Sequence, residues 1–155
     1  MKLYLMRHAE ALVTNGKIRS DEERPLSTRG RAQARSIGDQ LRRRGHPLSQ
    51  ILSSPLLRTR ETAAIISEVF GLPVETTPHL APSGTVLRLS LILPKKSLDA
   101  GVLLVGHQPD VGMLAASLAP LSNGFSPATL AAFETATGPK GWTLLFVLTA
   151  RDVPA

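Results

Sequence analysis

The sequence predicts an α/β fold: a three-layer α/β/α sandwich around a mostly parallel, mixed sheet of about six strands, closed by a C-terminal hairpin. Three observations carry this. Short apolar runs alternate with longer stretches of helical periodicity. Two of the runs, Leu3–Met6 and Val102–Val105, are apolar throughout, as strands covered on both faces are. The chain has 155 residues, 43% hydrophobic and 19% charged, which suits one domain over residues 1–155 with a sizeable core.

Lys2–Met6 reads as the first buried strand, followed by a polar stretch, Ala9–Ser27. Ser27 or Thr28 caps a helix running to about Arg44; Ala34, Ile37 and Leu41 fall three and four apart on one face, and Gly45 stops it. Ile51–Ser53 is a minimal strand. Pro55 suits the first turn of a second helix, which runs to Phe70 with Thr59, Ala63, Ile66 and Phe70 on one face and ends at Gly71. Val74–Thr76 is a third strand, and a loop with Pro78, Pro82 and Gly84 leads to a helix over about Thr85–Leu93. Val102–Val105, β-branched at each end, reads as a central strand, and Pro109 opens a helix through Ala119. Leu130–Glu134 and Trp142–Thr149, joined across Gly138, Pro139 and Gly141, form the closing hairpin.

Composition narrows the function. Cysteine is absent, which excludes disulfide frameworks, thiolate metal sites and cysteine nucleophiles. No apolar run approaches the about 18 residues of a membrane span, and Leu3–Met6 is too short for a secretory core, so a cytoplasmic protein with no membrane partner is expected. The net charge of +6 favours anionic partners. Aromatic residues are only 4% and are not interleaved with the basic ones, which argues against nucleic acid.

In parallel sheets of this kind, ligands bind beyond the carboxyl ends of the strands. Leu3–Met6 leads into Arg7-His8, and Val102–Val105 leads into Gly106-His107. If these strands are neighbours, the two imidazoles face each other, and Ser53-Ser54-Pro55 delivers Arg58 to the same crevice. Two arginines and two histidines suit a phosphoryl group: guanidinium forks match phosphate oxygens, and a neutral imidazole is a nucleophile toward phosphorus. A single histidine after a strand, or a single helical arginine, is more often structural; the joint pattern carries the argument. Metal chemistry competes weakly. His8, His46, His79 and His107 show no HxH or HExxH spacing, and only Glu10 and Asp110, just past the strand-end histidines, offer a His–carboxylate arrangement. No P-loop, GxGxxG or GxSxG motif occurs. The run Arg42–His46 reads as a solvated helix end.

The segment Leu5-Met6-Arg7-His8-Ala9-Glu10-Ala11 resembles the Arg-His signature of the histidine phosphatase superfamily, which includes phosphoglycerate mutases and acid phosphatases. Arg24-Pro25-Leu26-Ser27-Thr28-Arg29-Gly30 resembles its RPLT-x-x-G segment, and Ser53 to Ala63 its SP-x-x-R…TA segment. Leu104-Val105-Gly106-His107-Gln108-Pro109 resembles its GH-x-P segment. With Leu80-Ala81-Pro82-Ser83-Gly84, these are similar to the short, SixA-type phosphohistidine phosphatases. The resemblance implies a phosphoglycerate mutase-like fold and a phosphatase that needs neither metal nor organic cofactor. His8 would carry a transient phosphoryl group. Arg7, Arg58 and His107, joined by Gln108, would bind its oxygens. Larger members protonate the leaving group with a carboxylic acid near the position of His79, which makes His79 the candidate general acid here, with Glu10 and Asp110 behind it.

The implied partners are phosphate and either a phosphorylated protein, such as a histidine-containing phosphotransfer domain, or a small phosphate ester. Little chain is available for a lid, which suits a protein substrate, and Arg29, Arg31, Arg35 and Arg42–Arg44 offer a face to an acidic one. A broad phosphomonoester phosphatase and a non-catalytic phosphoprotein-binding module are the alternatives.

Overall fold

A computed structural model describes residues 1–18, 20–82, 101–121, 124–135 and 141–150. The helix expected over about Thr85–Leu93 and most of the hairpin turn lie outside the described residues.

Six strands form one sheet: β1 (Lys2–Arg7), β2 (Leu48–Ser53), β3 (Val74–Thr76), β4 (Gly101–Gly106), β5 (Leu130–Thr135) and β6 (Trp142–Leu148), in the order β3-β2-β4-β1-β5-β6. The first four in that order run parallel; β5 pairs antiparallel with β1, and β6 antiparallel with β5. The mixed sheet and its closing hairpin are as the apolar runs indicate. β2 starts earlier than its apolar core suggests, at Leu48, with a register irregularity between Leu48 and Gln50.

Helices cover both faces, and strand alternation divides the core accordingly. Tyr4 and Met6 of β1, with Leu103 and Val105 of β4, pack among Ala34, Ile37, Leu41, Ala63 and Ile66 of α1 (Thr28–Arg43) and α2 (Leu57–Phe70). Leu3 and Leu5, with Val102 and Leu104, pack on the other face against Val111, Leu114 and Ala115 of α3 (Asp110–Leu118). β4 is buried along its whole length, as its unbroken apolar run requires.

Ser27 caps α1, its hydroxyl accepting from the Gly30 N–H at 3.0 Å. α2 begins two residues after Pro55. Ser54 turns the chain first, its hydroxyl accepting from the Leu56 N–H at 3.1 Å, so Leu56 is the cap and Pro55 lies outside the helix. Pro109 likewise caps α3 rather than entering it. No helix among the described residues is long and apolar enough to cross a membrane.

Gly30 is where α1 meets the loop beyond β1. A β-carbon there would lie 2.0 Å from the Glu10 carbonyl oxygen, which already accepts the Ser27 N–H at 3.0 Å. Backbone on both sides leaves no flexible side chain to yield. Gly30→Ala should therefore cost about 1–3 kcal/mol of stability, read as a Tm several degrees lower, because overpacking must be relieved by moving the chain. It should also lower turnover, since Glu10 lies two residues from His8.

Candidate active site

The register of β1 against β4 sets Arg7 opposite Gly106, so the residues that follow, His8 and His107, meet beyond the sheet. Their ring centroids are 5.4 Å apart, with planes at 57°. The His8 N–H donates to the Gly106 carbonyl at 3.0 Å, which ties the two strand ends together. β2 lies on the other side of β4 and delivers α2, whose first turn carries Arg58. Arg58, His8 and His107 are all buried. Arg7 donates from its guanidinium to the Phe125 carbonyl at 3.0 Å, on the chain leading to β5.

Each imidazole is held by one nitrogen. Nδ1 of His8 lies 2.7 Å from the Ala9 carbonyl. A carbonyl oxygen accepts and cannot donate, so Nδ1 carries the proton and Nε2 of the neutral ring presents a lone pair. Burial pushes the His8 pKa down to about 4. The Ala9 hydrogen bond opposes this, and the charges of Arg58, Arg7 and Arg24 add to it. Nε2 of His107 lies 2.8 Å from the Ser54 hydroxyl. That oxygen accepts from the Leu56 N–H, and when its own proton is given to Nε2 the His107 proton lies on Nδ1. Burial, then Arg58 and His8, push the His107 pKa down to about 3.

Among the described residues, three buried side-chain polar atoms have no hydrogen-bond partner: Nε of Arg7, Nε of Arg58 and Nδ1 of His107. Folded chains leave such groups unpaired rarely, because each costs the desolvation of a polar group. All three belong to the set singled out in the sequence; the two arginine nitrogens are N–H donors, and so is Nδ1 of His107 when its proton lies there. The pattern suits an acceptor that comes from outside the chain.

The remaining candidates are placed differently. The Gln108 side-chain oxygen accepts the Gly112 N–H at 2.7 Å and so serves the first turn of α3. Glu10 is engaged by the Ser27 hydroxyl at 2.8 Å and by Arg29 at 3.2 Å. His79 sits half-buried in the short turn Pro78–Leu80 after β3, and Asp110 in the first turn of α3. No group of three or more His, Asp or Glu among the described residues could hold a metal ion. Of the arginines read as a basic face, Arg29, Arg31 and Arg35 pair with Glu10, Glu61 and Asp39. The run Arg42–His46 is exposed from Arg42 to Gly45, as a solvated helix end is, and makes contacts besides. Arg42 donates to the Val69 carbonyl, the Arg44 guanidinium lies 4.3 Å over the Phe146 ring, and the His46 ring packs 5.1 Å from it.

Three groups at the site were not anticipated. The Ala9 carbonyl is backbone and carries no sequence signal. Thr62 accepts the Ala9 N–H at 3.1 Å and donates to the Arg58 carbonyl at 2.8 Å, joining the His8 loop to α2. It lies one turn after Arg58 within a segment already singled out, and that spacing was the available clue. Asp21 receives Arg58 on both its backbone oxygen, at 2.7 Å, and its carboxylate, at 3.1 Å. Nothing in the polar stretch Ala9–Ser27 distinguished it.

With this geometry, the comparison with known proteins is direct: a model of the histidine phosphatase superfamily (branch 1) matches residues 3–82. The chain belongs to the histidine phosphatase superfamily. It is a phosphatase with a phosphoglycerate mutase-like fold. It is 33% identical over 124 residues to phosphohistidine phosphatase SixA of Escherichia coli, spanning 77% of this chain and 75% of that one. The structure of the protein histidine phosphatase SixA complexed with tungstate superimposes with a TM-score of 0.83 at 27% identity, covering 99% of this chain and 100% of the other. A phosphohistidine phosphatase SixA structure from Agrobacterium tumefaciens gives 0.78 at 29% identity, over 96% and 97%.

The two depressed histidine pKa values have a consequence for stability. An ordinary histidine titrates at 6.5, so the unfolded chain takes up protons that folded His8 refuses down to about pH 4 and folded His107 down to about pH 3. Stability is therefore full above pH 6.5 and falls as the pH drops through that window. Tm measured by calorimetry should decline steadily from neutrality toward pH 4, and His8→Asn should make that decline shallower.

Proposed function

We propose that this phosphatase hydrolyses phosphohistidine on a protein, through a phosphoryl group carried transiently on Nε2 of His8. The observation that carries the proposal is the set of three unpartnered N–H groups beside an imidazole nitrogen whose lone pair is free. Three donors suit the three oxygens of a transferring phosphoryl group, and catalysis of such a transfer is mostly positioning plus charge stabilisation.

The steps follow from the protonation states. His8 is neutral at physiological pH, so Nε2 attacks phosphorus in line while its Nδ1–H stays on the Ala9 carbonyl. Arg7, Arg58 and the Nδ1–H of His107 hold the oxygens. The electron pair of the breaking bond leaves with the substrate nitrogen, and water then attacks phospho-His8 to release phosphate. A phosphoramidate nitrogen departs without a strong acid, and among the four groups no carboxylic acid is placed to supply one. The likeness to SixA phosphatases over nearly the whole chain supports phosphohistidine over small phosphate esters. The nucleophile weighs against a binding module, since a binder needs the donors and not the lone pair.

His8→Ala should abolish turnover, and rapid quenching of wild type in alkaline medium should trap labelled phosphate on His8; full activity in the variant would end the mechanism. Arg58→Ala should slow turnover by about 10²–10³, the usual loss for one charge-stabilising donor. Rates with a histidine-phosphorylated protein should be unaffected by chelator, and kcat/KM should show no loss of activity as the pH falls through 6.5, because free His8 titrates near 4.

A further inference from the structure

One group sits oddly in a pocket built for an anion. Asp21, in the short turn Asp21–Glu23, places a carboxylate 3.1 Å from the Arg58 guanidinium. The side chain of Arg58 is 7% exposed and that of Asp21 is 60% exposed. The carboxylate is pinned from the other side by Arg24 at 2.9 Å. It is ionised at neutral pH, held below the ordinary carboxylate range by Arg24 first and Arg58 after it, and its charge is felt at His107. Its negative charge works against an incoming dianion, and its side chain is not what anchors Arg58 alone, because the Asp21 backbone oxygen takes the guanidinium more closely, at 2.7 Å.

We propose that Asp21 is a specificity-determining residue whose carboxylate, at the rim beside Arg58, accepts a hydrogen bond from the N–H of a phosphohistidine leaving group and disfavours phosphate monoesters. This rests on the reading given under Proposed function. The chemistry is specific to an imidazole. In a phosphohistidine, one ring nitrogen is bonded to phosphorus and the other, when protonated, carries an N–H away from it. Attack by Nε2 of His8 forms the new N–P bond as the old one breaks. The electron pair returns to the ring, which leaves as neutral imidazole still bearing its N–H, so no proton need be supplied at that step. An ionised carboxylate that accepts this N–H favours the protonated ring, the better leaving group. A monoester dianion brings no such N–H and meets only the repulsion.

The test compares wild type with Asp21→Asn on a histidine-phosphorylated phosphotransfer domain and on 4-nitrophenyl phosphate, with inhibition by orthophosphate measured for both. Asparagine keeps the backbone contact to Arg58 and an oxygen in place of the carboxylate. The ratio of kcat/KM for phosphohistidine over the aryl ester should fall about tenfold, the scale of one charged hydrogen bond at a partly exposed site, and orthophosphate should bind more tightly. An unchanged ratio overturns the proposal. A parallel loss on both substrates with weaker orthophosphate binding also overturns it, because Asp21 would then serve merely to place Arg58. Wild type that hydrolyses the aryl ester but not the phosphohistidine protein would instead remove the underlying substrate reading.

Discussion

The parallel pairing of β1 with β4 is the constraint on which the site depends. Backbone hydrogen bonds fix its register, and a slip of one residue would turn every side chain of the strand to the opposite face. Tyr4 and Met6 would then exchange places with Leu3 and Leu5, each set buried against different helices. Burial on both faces thus penalises a one-residue slip away from the register that puts His8 beside His107. The donation from the His8 N–H to the Gly106 carbonyl extends the pairing one step past the strand, into the site itself.

The electrostatics follow from that placement. Two guanidiniums converge on a buried spot, and nearby positive charge together with desolvation keeps both imidazoles neutral. In the proposed mechanism, neutrality is what each ring needs, one as a lone-pair donor and one as an N–H donor. The protonation states are assigned by humble partners: a main-chain carbonyl for His8 and a serine hydroxyl for His107. Burial also lowers the pKa of Arg7, with the charge of Arg58 adding to the effect. A phosphoryl dianion bound as proposed would relieve that repulsion.

How far the sequence could be read differs by element, for physical reasons. β4 announced itself as a central strand because an unbroken apolar run can be buried only on both faces. α1 was legible from its cap, its periodic apolar positions and Gly45, each a local effect. The start of α2 was less so, because the Ser54 hydroxyl takes the Leu56 N–H and leaves Pro55 ahead of the helix, while the same hydroxyl holds His107, 53 residues away. The basic run Arg42–His46 is largely solvated as read, but its contacts with Phe146 join residues that no sequence window contains.

From residue types and order alone came the α/β class, the strand-end histidines, the arginines and the chemistry these four can perform, because all of that rests on local pattern and on what each side chain is. Tertiary structure alone decided that the four meet, which nitrogen of His8 holds its proton, that Thr62 and Asp21 join them, that the Gln108 oxygen takes the Gly112 N–H, and that Glu10 pairs with Ser27 and Arg29. Those facts are hydrogen bonds across long stretches of chain, and a donor's partner is set by where the fold brings an acceptor, which no spacing in the sequence records.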